Sequence, residues 1–138
     1  MRKMKTHTAT RKENKKVAAW LANKAIQAGE DVKGFDLAVL DVSNVFHLSD
    51  YFVIISGRSD RHVQGIVNKI QGALEQNGIK PLSIEGFDKA HWVLMDYGDV
   101  IVHVFYDRAR EIYDLESLWV NARKVDAKQE FKNAKAAA

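Results

Sequence analysis

Residues 35–42 read FDLAVLDV, a strand-length run in which both alternating faces are mostly apolar. Leu37 and Val39 lie with Asp41 on one face, and Ala38, Leu40 and Val42 on the other. YFVIIS at 51–56 is a second buried strand. A strand that is apolar on both faces needs cover on two sides, which puts it inside a sheet packed between layers. No apolar run approaches the roughly 20 residues of a membrane-spanning helix, so a membrane is not an expected partner.

The remaining elements follow from periodicity. Val17, Leu21, Ala25 and Ala28 recur at helical spacing from about Lys15 to Ala28, with Gly29 as the expected C-cap. Ser59 is a good N-cap for a helix in which Val63, Ile66, Val67, Ile70 and Leu74 form one stripe, closed by Asn77-Gly78. Ile79 to Glu85 reads as a short strand near an edge, because Pro81 cannot donate to a ladder. Two strands at about 91–96 and 99–106 flank DYGD, with Gly98 supplying the tight turn. The strand–helix–strand unit at 51–85 predicts a parallel pair, and the hairpin adds antiparallel pairing. The fold class is α/β (α+β): one domain with a mixed five-stranded sheet and helices packed on it.

Charge is distributed unevenly. Residues 1–16 carry seven Lys/Arg against one Glu, 17–118 carry nine against fifteen Asp/Glu, and 119–138 carry five against two. The expected organisation is a basic N-terminal tail at 1–16, a domain at 17–119 and a basic, disordered C-terminal tail at 120–138. An acidic body suits a basic protein partner better than bare nucleic acid, although the tails could touch phosphate weakly. The first twelve residues are basic, Thr-rich and free of acid, like an organelle presequence, but a solvated basic tail is the favoured reading. They lack the apolar core of a secretory signal, and the chain has no cysteine, so a cytoplasmic setting is expected.

Candidate chemistry centres on HWVLMDYGDVIVHVFYDRAREIYDLESLW at 91–119. His103 shares a strand face with Ile101 and Phe105, where a packed, hydrogen-bonded histidine is the expected reading. Asp96 and Asp99 lie three apart across a turn, where Asp ordinarily bonds the turn's own backbone. Gly57-Arg58-Ser59 resembles a shortened phosphate-binding turn, though capping explains Ser59 as well. His47, His62 and His91 have no metal-ligand spacing, and neither a Walker A pattern nor a nucleophile elbow occurs. No catalytic residue, cofactor or metal is therefore assigned.

The same stretch holds Trp92, Trp119, Tyr97, Tyr106 and Tyr113. Both faces of a terminal hairpin cannot be equally buried, and large aromatics near a sheet edge are natural binding anchors. Ile112, Leu115 and Leu118 repeat at three-residue steps, so one face of that segment is expected to dock on the sheet, leaving Tyr113 among Asp114 and Glu116.

SDYFVIISGRSDRHV and IEGFDKAHWVLMDYGDVIVHVFYDRAREIYDLESLW closely resemble the ribosomal silencing factor (Iojap-like) family from about Trp20 to Trp119. The coinciding features, in order, are Asp50, Ser59 to Val63, Glu85-Gly86, Trp92, the DYGDVIVH turn and YDLESLW. The resemblance implies a nucleotidyltransferase-like topology without catalytic residues. It also implies binding to the large ribosomal subunit through a basic ribosomal protein of the L-fourteen family. The small subunit is then blocked from joining, and translation is repressed when nutrients are scarce. By motif, partner binding is carried to Trp92, Tyr113 and Leu115, with Asp96, Tyr97, Asp114 and Glu116 nearby. A homodimer through the same aromatic surface is compatible with the resemblance. The competing readings are a nucleotide-binding, transferase-like enzyme using Asp96, Asp99 and Gly57–Ser59, and an RNA-binding protein acting through its tails.

Overall fold

Period-3.6 burial sets the helical layer. Val63, Ile66, Val67, Ile70 and Leu74 are all buried on α2 (Asp60–Glu75), and the Ser59 side chain accepts the His62 N–H to cap it. They pack with Leu21, Ala22, Ala25 and Ile26 of α1 (Arg11–Asp31) against one face of a sheet. The computed structural model describes residues 11–134. Its remaining elements are β1 (Phe35–Asp41), β2 (Tyr51–Gly57), β3 (Ser83–Glu85), β4 (Trp92–Asp96), β5 (Val100–Tyr106), α3 (Asp107–Tyr113), α4 (Leu115–Leu118), β6 (Arg123–Val125) and α5 (Ala127–Glu130).

The sheet is mixed, with strand order β3-β4-β5-β2-β1-β6. It has six strands where the sequence pattern suggests five. β2 is buried along its whole length, as its double-faced apolarity requires. Its parallel neighbour is β5, with Tyr51 opposite Val100, and not the strand directly after α2. That strand, β3, has three residues and sits at the outer edge, where Pro81 does no harm. The β4–β5 hairpin then turns back and brings the long apolar VIVHVFY run beside β2.

Two further expectations are corrected. Gly29 does not end α1: it is buried within the helix, where a Cβ would meet Ile55 Cδ1 at 2.9 Å, and the chain turns instead through Lys33 at φ 73. The expected N-terminal tail is helical from Arg11, and residues 1–10 lie outside the described part.

The C-terminal segment expected to be disordered folds back through β6 and α5, pairing Val39 with Val125 and burying Phe131 against Tyr51 with their rings 5.1 Å apart. Charge holds it there. Asp41 accepts from Lys15 Nζ at 2.7 Å, from Arg123 at 2.7 Å, and from the Ser43 hydroxyl at 2.6 Å. Glu130 accepts from Tyr51 Oη and from Arg123. One cation from each basic end thus converges on a single buried carboxylate.

Candidate functional site

The sheet's two faces differ in cover. α1 and α2 bury Val53, Val93, Met95, Val102 and Val104 completely on one. The other carries Leu40, Phe52, Ile54, His103 and Phe105, covered by Phe46 from the 43–50 connection, by Leu115 and by Trp119. Toward β4 this cover runs out. Trp92, Leu94, Asp96 and Ile101 are only part-buried, as expected for a hairpin whose two faces cannot both be core.

An aromatic cluster is centred here. The Trp92 ring stacks on Phe105 at 5.0 Å and lies 4.9 Å from Tyr113. Trp92 Nε1 donates to His103 Nδ1 at 3.1 Å. His103 is therefore packed, as its neighbours imply, but its partner is an indole rather than backbone or carboxylate. Burial lowers its pKa from 6.5 to about 3, so it stays neutral with its proton on Nε2. For Asp41, burial alone would raise the pKa, but the bonds from Lys15, Ser43 and Arg123 outweigh it and hold the carboxyl well below its ordinary 3.8.

These shifts separate two pH windows. The unfolded chain protonates His103 near 6.5 while the folded chain resists until about 3, so stability falls as pH drops through that interval. The slope approaches about 1.4 kcal/mol per pH unit. Asp41 contributes fully above 3.8, and its contribution is lost only below that. Urea titrations from pH 7 to 4.5 are expected to show the decline, and a His103→Asn variant is expected to flatten it. A wild-type stability independent of pH over that range would contradict the buried neutral imidazole.

The segment after β5 departs from its apparent helical period. Asp114 adopts the left-handed conformation (φ 48, ψ 53), ending α3 and restarting the chain as α4. Only Leu115 of the expected docking face is buried, while Ile112 and Leu118 are 80% and 73% exposed. Arg110 locks this break. Its guanidinium bonds both Glu116 carboxylate oxygens, Ser56 Oγ at 2.8 Å and the Asp36 carbonyl. Spacing gave little sign of this clamp, because Arg110 and Glu116 are six apart.

The structure thus brings together Trp92 and Tyr113, with Leu115 buried close by in the core of that face. Asp114 is exposed beside them and accepts from Ser117 Oγ, while the Glu116 charge is engaged by Arg110. Tyr97 lies elsewhere: it is 4% exposed in the helix-side core, where burial and then Glu75 push its phenol up to about 12. Asp96 Oδ1 accepts the Gly98 N–H at 2.8 Å, the turn-stabilising role expected of it. Ile112 and Leu118 are exposed although their periodicity argued for burial, and Val120 is exposed as well.

For the transferase reading, the amides at the start of α2 matter most. Arg58 N bonds His62 Nδ1, Arg61 N bonds Asp60, and His62 N bonds Ser59, so these donors are already occupied. Among the described residues, no three His, Asp or Glu side chains group so as to hold a metal ion, and no helix is long and apolar enough to cross a membrane.

Comparison with known proteins places this geometry. The profile of the family described as "Ribosomal silencing factor during starvation" matches residues 9–138. Ribosomal silencing factor RsfS of Bacillus subtilis is 43% identical over 102 residues, 74% of this chain and 86% of that protein. The mouse protein named "Mitochondrial assembly of ribosomal large subunit protein 1" is 36% identical over 87 residues, 61% of this chain but 38% of its own length. The crystal structure of a Chromobacterium violaceum protein superposes with a TM-score of 0.71 at 37% identity, covering 77% of this chain and 88% of that one.

Proposed function

The chain belongs to the ribosomal silencing factor family, and from that premise we propose that it binds the large ribosomal subunit and sterically prevents the small subunit from joining. The immediate partner is a basic ribosomal protein of the L-fourteen family, and the outcome is translational repression in the cytoplasm under nutrient limitation. The reading is of a binding protein, not an enzyme. Its large-subunit component is supported by the name of the mouse relative.

The observation that carries it is the uncovered end of the aromatic sheet face. Trp92 and Tyr113 touch there, beside exposed Ile112 and the carboxylate of Asp114. Half-buried rings held by their own core lose little freedom on binding, so they make efficient anchors. A standard interface of roughly 1,600 Å² would suffice. The basic ends take a secondary part in this scheme, because Lys15 and Arg123 are turned inward onto Asp41. Contact with rRNA would then be weak and salt-sensitive.

The test is a sucrose gradient of purified subunits with and without the protein. Co-migration with large subunits and a loss of whole ribosomes are expected. Normal whole-ribosome formation at saturating protein would refute the proposal. A nucleotide-dependent reading would require saturable binding of a nucleotide with Mg²⁺, lost on Asp99→Ala. Self-association through the same rings would instead appear as a dimer that competes with subunit binding.

A further inference from the structure

We propose that His103 is a positioning residue for this docking surface: it fixes the Trp92 indole in the orientation that a partner meets. The proposal rests on the docking reading for its purpose, and on the strand register for its geometry.

β4 and β5 run antiparallel with Trp92 opposite Phe105 and Leu94 opposite His103. His103 is therefore the diagonal neighbour of Trp92 on the same face, a separation that only long or aromatic side chains span. The indole crosses it and gives its only donor to Nδ1 at 3.1 Å, with Phe105 stacked against the ring and Tyr113 beside it. Stacking alone would let the ring slide or flip over Phe105. The hydrogen bond selects one edge.

The other nitrogen argues that this bond is the reason for a histidine. His103 Nε2 is buried with no hydrogen-bond partner among the described residues. The Phe52 ring, in edge contact at 4.9 Å, offers at most a weak π acceptor. A buried N–H without a partner is a net cost that leucine or phenylalanine would avoid in this apolar layer. Neither could accept from Trp92. The position therefore trades stability for a fixed indole, and the indole N–H, satisfied from within, leaves an apolar edge outward. A partner needs an apolar recess there and no acceptor.

The experiment uses the full chain labelled with ¹⁵N, in which the Trp92 indole signal is assigned by its loss in Trp92→Phe. In His103→Leu, which removes the acceptor, the Trp92 N–H is expected to shift and to exchange with solvent at least about tenfold faster, while His103→Asn, whose amide oxygen falls near the Nδ1 position, retains slow exchange. Large-subunit affinity should fall about tenfold in His103→Leu and recover most of the way in His103→Asn. In a Trp92→Phe background, His103→Leu should cost no further affinity. A Trp92 signal unmoved in His103→Leu overturns the proposal whatever the subunits do, as does equal loss of affinity in the leucine and asparagine variants. If His103→Leu does not fold, the signal and affinity of His103→Asn decide: wild-type behaviour supports the proposal, and a freed indole overturns it. Wild-type protein that ignores large subunits overturns the docking reading alone, since indole exchange still reports on the His103 bond.

Discussion

Trp92→Glu is expected to weaken large-subunit binding by about 30- to 700-fold in a protein that remains folded. The magnitude follows from a central aromatic anchor, whose truncation typically costs about 2–4 kcal/mol at roughly 1.4 kcal/mol per tenfold. The fold should survive because the Trp92 side chain is only part-buried and the complete burial of β4 lies on Val93 and Met95. The substitution also separates two kinds of interface. If attraction between an acidic body and a basic partner supplied the affinity, an added carboxylate would help, most of all at low salt. Loss at every salt concentration identifies the ring as the source. Circular dichroism establishes folding and co-sedimentation reads binding; a folded variant that sediments like wild type would remove Trp92 from the interface.

Gly86→Ala is expected to cost roughly 3 kcal/mol, about 10 °C in melting temperature for a domain of this size. Two effects combine. Gly86 sits at φ +84, where an L side chain costs about 1–2 kcal/mol, and its Cβ would strike the carbonyl oxygen of Trp92, a backbone atom that cannot rotate away. Gly98 is the internal control. Its φ is nearly the same at +85, but a Cβ there meets only Leu82 Cδ1 at 3.7 Å. Gly98→Ala should therefore show the conformational cost without the collision. Thermal melts of both variants decide the matter, and equal losses would mean that the Trp92 carbonyl moves aside freely.

Local chemistry made much of the fold legible. The α2 stripe, its Ser59 cap, the Gly98 turn and the buried character of β2 all follow from neighbours within a few residues. What escaped was non-local or conformational. β6 is three residues long, two of them charged, and it is a strand because Arg123 reaches Asp41 and Phe131 finds Tyr51. The parallel partner of β2 was misplaced because pairing depends on which strand can be buried at the centre, not on which comes next. Ile112 and Leu118 looked like core because a sequence period does not show that Asp114 will turn left-handed. At the candidate site, the aromatic residues stand out by type, and the family motif singles out Trp92, Tyr113 and Leu115 as the proposed anchors. The bond that orients Trp92 was not visible, since it joins residues eleven apart through a register known only after folding.

The placement of β2 beside β5 also sets the order in which the polypeptide can acquire structure. β2 leaves the ribosome before β5 and stays half-unpaired until Val100 and the residues after it have been synthesised, and α1, β1 and α2 cannot complete their core before then. A central parallel pair closed by so long an intervening segment raises contact order and delays the rate-limiting step. Nascent chains therefore expose FVII while the residues between β2 and β5 are being made, an unpaired apolar strand open to aggregation in that interval.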